Sequence, residues 1–468
     1  MIPMLSPSDM TSMIVRLLTR HRSHGRTVRP ASRRLISRTT VVGAIALTMG
    51  CSGLLTVTDP TLVQDSDLAN AAGANARRLG VVSQFDASIS TAFGQIALFT
   101  DERMYDTQFP LSVTVNQLLD TRDTAAFQTY YAGSNDPILG PLTRILSSSS
   151  VALPGIRADA PANVRNEYVA HLYALRGFAI VQMAETLCPG FPINDIRDGA
   201  PYYSMPFSTD SALRYAVATL DTALAAGHDS TRFLNLARVL KGRALTDLGE
   251  WALAAQAVAE VPTDFTYQTD EGYGIPFDGS TFPRQPQAVG NRDGGAGLPF
   301  ASANDPRVPS VFVQMRIHRT ADTVSDSLHK QLKYESNQSP VTVASGVEAR
   351  LIEAEAALNA NDPTTWLTKL NELRDVAIAP VMPHLVDPGS ATRVDTMFKE
   401  RAFWLYLTGH RLGDMRRLIH KYNRAVNTVY PSGTHPLGIP YGPATSIPFI
   451  FSNASQYNPH ITKGCAPE

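Results

Sequence analysis

The chain has 468 residues, 44% apolar and 18% charged, with 41 basic against 42 acidic side chains. This is a globular composition with apolar material for one large domain or two ordinary ones, which excludes a disordered or fibrous chain. Charge is unevenly placed: residues 1–50 hold eight Arg against one acid, Asp9, so they carry +7 and leave −8 for the remainder against the overall −1. A phosphate binder needs a basic face, so the acidic remainder argues against nucleic acid as a partner.

The basic segment runs into an apolar stretch from Val41 to Met49 and then Gly50-Cys51, the order expected of an export signal and its cleavage site. The stretch is too short to span a bilayer. Gly50-Cys51 resembles the end of a bacterial lipobox, with Cys51 as the lipidated first residue of the mature protein, although Leu47 and Thr48 depart from its usual order. The expected organisation is a signal peptide over 1–50 and one folded domain over 51–468.

From Asp67 to about Phe99 the sequence is Ala-rich, and Val82, Phe85, Ile89 and Phe93 recur at helical spacing. The segment closes on Asp101 and Glu102, which as neighbours point in different directions and cannot flank one bond as an acid and base pair. A loop with aromatic residues, Tyr105 and Phe109 among them, follows. Residues 163–187 predict a long helix with Tyr168, Leu172, Leu175, Ala179 and Met183 along one face. Between 211 and 259 the pattern is helical again, and Gly242, Ala244, Leu248, Gly249, Trp251 and Ala254 fall as in a tetratricopeptide repeat, where small residues admit a neighbouring helix and an aromatic wedges between the pair. From Pro262 to Val343 no helical period survives and Pro, Gly, Asp and aromatics dominate, which predicts long functional loops. Residues 346–376 predict a second helix pair broken at Asn361-Asp362-Pro363, a cap followed by a first-turn proline. The tail from Thr428 is irregular.

No HExxH, CxxC, glycine-rich phosphate loop or G-x-S-x-G occurs, so the sequence presents no motif for catalysis, a metal or a cofactor. One stretch stands apart, VDTMFKERAFWLYLTGHRLGDMRRLI from Val394 to Ile419. Val394, Met397, Phe398, Ala402 and Leu405 form one apolar stripe, while Phe403, Trp404, Tyr406 and Leu407 fill the opposite side, so the helix is buried all round. Threaded through it are Glu400, Arg401, His410, Arg411, Asp414, Arg416 and Arg417, which persist in an interior only when paired. Gly409 predicts the left-handed turn that ends the first helix, and Arg411 and Asp414, three apart, predict a pair on the second. His410 and Asp414 stand at a spacing that could hold a metal, but the neighbouring Arg side chains would repel a cation, so ion pairing is the expected role.

The run ER-x7-GHR-x2-D-x-RR, here Glu400, Arg401, Gly409, His410, Arg411, Asp414, Arg416 and Arg417, resembles the C-terminal signature of the SusD/RagB family. It departs at Trp404 and Thr408, where the family often carries Glu. EARLIEAEAAL followed by LNELR, Asp305-Pro306-Arg307-Val308-Pro309, Lys333-Tyr334, Ile447-Pro448 and Asn458-Pro459 are similar to further family landmarks. The resemblance implies an all-α fold of tetratricopeptide-like helical repeats carrying large irregular loops. It also implies a surface lipoprotein, not an enzyme, which binds an oligosaccharide or peptide and passes it to a SusC-like TonB-dependent transporter in the outer membrane. Asp101-Glu102 takes a structural or cation-holding role on this reading, and Glu353 and Glu355 become partners for the Arg side chains of the signature.

Ligand contacts are expected from aromatics in irregular stretches: Tyr105 and Phe109, Tyr202 and Tyr203, and Tyr267, Tyr273 and Phe282, with packing of the residue's own loop as the alternative for each. A tetratricopeptide-type scaffold that binds only protein is the competing reading, and a hydrolase would need convergent carboxylates that the sequence does not show. With Cys51 lipidated, Cys188 and Cys465 remain as a pair outside the reducing cytosol, either bridged to each other or left as a buried apolar residue and a free tail thiol. Changing Cys51 to Ala should move the exported protein from the outer-membrane fraction to the soluble one; retention in the membrane would show that the anchor lies elsewhere.

Overall fold

The first long helix, α1 (Ala71–Phe99), starts where the Asn70 side chain accepts the Gly73 amide at 2.9 Å. It belongs to a computed structural model that describes residues 65–105, 115–132, 136–227, 230–269, 287–318, 323–334, 336, 339–435 and 438–465. After a short strand β1 (Arg103–Tyr105) come α2 (Val115–Asp120), α3 (Thr124–Tyr131), α4 (Leu139–Asp159) and α5 (Ala162–Thr186). From Val169 to Thr186 every side chain of α5 except Tyr173 is buried, as expected of a helix with neighbours on all sides. Phe178 meets Phe85 and Phe93 of α1 with ring centroids 5.2 and 6.3 Å apart.

Two nested hairpins follow: β3 (Asp195–Arg197) with β4 (Ala200–Tyr202), inside β2 (Phe191–Pro192) with β5 (Pro206–Phe207). The inner turn is Asp198-Gly199, both at positive φ (51° and 75°), the combination that a tight two-residue hairpin turn requires. Three helices come next, α6 (Thr209–Ala226), α7 (Thr231–Leu248) and α8 (Trp251–Val258). Gly177 admits Leu220 of α6 directly onto the α5 backbone, and Gly242 admits Val258 onto α7, since a β-carbon at either glycine would overlap that neighbour. Gly249 closes α7 in the left-handed conformation (φ 80°), its amide on the Thr246 carbonyl and that of Glu250 on the Leu245 carbonyl.

The remaining elements are β6 (Thr266–Gln268), β7 (Gln287–Val289), β8 (Ser310–His318), β9 (Thr323–Gln331), β10 (Thr342–Ser345), α9 (Gly346–Asn359), α10 (Pro363–Val376), α11 (Arg393–Trp404), α12 (Arg411–His420), α13 (Val426–Val429) and α14 (Phe451–Tyr457). Each long helix packs on its neighbours in the chain, α4 on α1 and α5, then α6, α7, α8, α9 and α10 in turn, which makes a stack of helix hairpins around one continuous apolar core. Among the described residues the strands pair only in twos, all antiparallel. The fold is all-α.

The structure departs from the sequence expectations in three places. Residues 262–343 are not wholly irregular: β8 and β9 form a nine-residue antiparallel hairpin in register Ser310↔Gln331, hidden in the sequence by the polar content of TVSDSLHKQ. Helix α4 was obscured by its serine run and by Pro154, yet Leu142, Ile145, Leu146, Leu153 and Ile156 line its buried face while Ser147 and Ser148 bond back to carbonyls of the preceding turn. Helix α11 stops at Trp404, five residues before Gly409, because Leu407 (φ 55°) and Gly409 (φ 78°) together build a turn against the end of α1.

Cys188 and Cys465 are joined in a disulfide with their Cα atoms 5.3 Å apart across a sequence separation of 277. Hydrogen bonds hold the tail to the same place: the Cys188 amide donates to the Ile447 carbonyl at 3.0 Å, and the Asn458 amide group donates to the Ser204 carbonyl at 2.8 Å. Replacing both cysteines with Ser should lower stability to guanidinium by about 2–5 kcal/mol, because so long a loop constrains the unfolded chain strongly; an unchanged midpoint would show that the hydrogen bonds alone hold the tail.

Candidate functional site

The charged residues of α11 and α12 form a closed junction with α1, α7 and α9. Arg401 clamps Asp414 with bonds of 2.9–3.1 Å. Arg417 spans three carboxylates, donating to Glu355 at 2.8 and 2.9 Å, to Asp414 at 2.8 Å and to Asp247 at 2.6 Å. Burial alone would raise the Asp414 pKa, but Arg401 and Arg417 outweigh it and hold the carboxyl well below its usual range. Glu348 is likewise opposed by burial and brought down to about 2 by Arg243, which grips it at 2.6 and 2.8 Å, and by His410.

Two expected pairings are corrected. Arg411 does not meet Asp414 on its own helix; it takes both oxygens of Asp101 at 2.6 and 2.8 Å, and Asp414 is claimed by Arg401 and Arg417. Glu355 does join the signature arginines, but Glu353 turns to Arg350 and Lys369, each at 3.0 Å. A guanidinium on both oxygens of Asp101 leaves that residue no role in holding a cation. Glu102 accepts the Leu407 amide at 2.7 Å, and burial pushes its carboxyl up to about 8. Among the described residues no group of three or more His, Cys, Asp or Glu could hold a metal.

The departures from the signature are rebuilt with different chemistry. The Trp404 ring carries the Arg307 guanidinium 5.1 Å from its centroid, while Arg307 also donates to Glu400 at 2.7 Å. The Thr408 hydroxyl bonds His410 Nδ1 at 2.9 Å, which orients Nε2 to 3.1 Å from Glu348. Burial first, then Arg243, lowers the His410 pKa, so this imidazole stays neutral at physiological pH. Trp404 and His410 face a cavity of about 470 Å³ with Gln268, Arg307, Leu332 and Lys333. Its half-buried indole among a few polar groups is what a small-molecule site requires. Trp404, which was not among the expected ligand residues, lines this cavity, and its departure from the signature is what marks it in the sequence.

The expected ligand residues divide. Tyr105 and Tyr267 are each 2% exposed and offer no ring face to a ligand: Tyr105 lies in β1 with its amide on Asp120, and the Tyr267 hydroxyl bonds His171 Nε2 at 2.7 Å. Both are corrected to packing residues. Tyr202 and Tyr203 stand at the end of the inner hairpin, where the Arg197 guanidinium covers one face of Tyr202 at 3.3 Å, leaving Tyr203, 37% exposed, beside Met205, 63% exposed. Phe109, Tyr273, Phe282 and Cys51 lie outside the described residues. Since removing one member of a buried pair strands the others, Glu355→Leu should cost about 3–5 kcal/mol in chemical denaturation. By contrast, Asp395→Asn, at the exposed pair with Arg424, should cost under about 1 kcal/mol; equal losses would remove the junction from its central place.

No protein-family profile matches the sequence, and no curated protein is similar to it. Solved structures do match. NanU of Bacteroides fragilis is 12% identical with a TM-score of 0.58, over 87% of this chain and 99% of its own. A SusD superfamily protein from Bacteroides thetaiotaomicron is 12% identical with a TM-score of 0.58, over 84% and 98%. A protein from Bacteroides vulgatus described as a putative sugar binding protein is 13% identical with a TM-score of 0.55, over 85% and 98%. At these identities the likeness is one of fold: the chain has the fold seen in SusD superfamily proteins, in agreement with the signature that the junction is built from.

Proposed function

We propose that the protein is a lipid-anchored surface protein that binds a nutrient, an oligosaccharide or a peptide, and hands it to a SusC-like TonB-dependent transporter in the outer membrane. The observation that carries this reading is the fold, which is shared with a protein described as sugar-binding. No helix among the described residues is long and apolar enough to cross a membrane; in this reading the anchor is lipid on Cys51 after removal of residues 1–50. The helix stack is the rigid frame, and the loops and hairpins that interrupt it are the binding face. On that face an open tyrosine beside a thioether supplies a platform for the apolar side of a sugar ring, and the tight Asp198-Gly199 turn fixes its direction. Binding is the whole of the function in this reading; no bond is made or broken.

Calorimetry against a panel of neutral oligosaccharides and peptides tests it. At least one class should bind, and Tyr203→Ala should weaken that binding by about two- to tenfold without lowering the melting temperature. Absence of binding across both classes would defeat the reading, and a Tyr203 variant that loses stability alone would return this residue to a packing role.

A further inference from the structure

Helices α5, α6, α7 and α12 enclose a second cavity of about 230 Å³, apart from the Tyr203 platform. At about 30 Å³ per water it has room for roughly seven waters, too large for a bare ion and too small for an oligomer. Its floor holds two carboxyl groups, Glu185 at the end of α5 and Asp247 at the end of α7. Glu185 is 5% exposed, and its Oε2, like Oδ2 of Asp247, is enclosed and accepts no hydrogen bond from a protein donor. Gly413 keeps the space beside Glu185 open, since a β-carbon there would press within 3.0 Å of the Glu185 side chain.

The nearby cations are engaged elsewhere. Arg416 donates through Nη1 to the Ala184 and Glu185 carbonyls at 2.6 and 3.0 Å and through Nη2 to Thr209 at 3.0 Å. Arg417 already serves Glu355, Asp414 and the other oxygen of Asp247, and Arg243 serves Glu348. Glu185 therefore faces Asp247, with Arg243 as a nearby positive charge whose own bonds go to Glu348. Burial, and after it the charge of Asp247, pushes its carboxyl well above the ordinary range, so the pair holds a proton where a cation would otherwise sit.

We propose that this cavity binds a small primary amine whose ammonium sits between Glu185 and Asp247. An ammonium brings one charge and three N–H donors, enough for both orphaned oxygens and the Thr209 hydroxyl. A hydroxyl would donate a single bond and bring no charge to take the place of the proton that the pair holds. A divalent metal would have two carboxylates at most and two guanidinium neighbours to repel it. Ala184 and Leu213 give the carbon body an apolar wall, while Lys421 and His420 near the opening disfavour a second positive charge. The class that fits is a monoamine of the size of one amino sugar or one amino acid.

Titration of the purified protein with D-glucosamine, L-alanine, D-glucose and N-acetylglucosamine separates the possibilities. Glucosamine or alanine should bind; the two uncharged sugars should not bind here. Glu185→Gln should weaken amine binding about ten- to hundredfold while leaving thermal stability equal or higher, the amide being neutral in place of a stranded acid. Tyr203→Ala should leave amine binding unchanged, which keeps this test independent of the proposed nutrient platform. Gly413→Ala narrows the same space and should weaken binding as well; it decides the matter should Glu185→Gln fail to fold. If neither amine binds, or if both variants bind as tightly as the parent, the pair holds a proton and nothing more.

Discussion

The structure depends on one constraint: the guanidinium groups of α11 and α12 have left water and must find carboxylates contributed by other parts of the chain. Arg411 finds Asp101 at the end of α1, Arg401 and Arg417 find Asp414 and Glu355, and Arg417 also reaches Asp247 on α7. Buried ion pairs add little net stability compared with apolar side chains of the same volume. What they add is selectivity, since a misregistered helix would strand several charges at once. The junction thereby fixes how the two ends of the helix stack meet.

Above that frame the surface is free to vary. The hairpin that presents Tyr203 is held by its own turn, by the tail's bonds to Ser204 and by the bridge at Cys188, so an exposed side chain there can change without disturbing the junction. The Trp404 cavity differs in kind. It is cut into the junction, and any ligand there would sense Arg307, held charged by Asp305 and Glu400 against the cost of burial, and His410 and Lys333, whose pKa values burial lowers. A site of that sort gives little freedom to evolve.

Much of this was legible in the sequence. The 3.6-residue apolar period located α1, α5 and α9, Asp362-Pro363 marked the start of α10, and the density of charge in an apolar stretch disclosed the junction. Partners were less legible, because a side chain's spacing along one helix does not show what lies across from it: Arg411 and Asp414 are well placed to pair, and each has a better partner elsewhere. The aromatic contacts divided for a related reason. Tyr105 and Tyr267 sit in short strands whose few residues give no period from which to read which face is buried, while Tyr202 and Tyr203 follow a turn that forces them to the edge.

The bond between Arg411 and Asp101 joins positions 310 residues apart, and this bears on the order in which the protein can be assembled. A chain made from its N-terminus presents Asp101, Asp247 and Glu355 before Arg401, Arg411 and Arg417 exist. Until those last helices arrive, the early ones carry acidic groups that no interior can accept, and contacts this distant in sequence form slowly. The nascent chain is thereby kept from completing its core until its last helices are made.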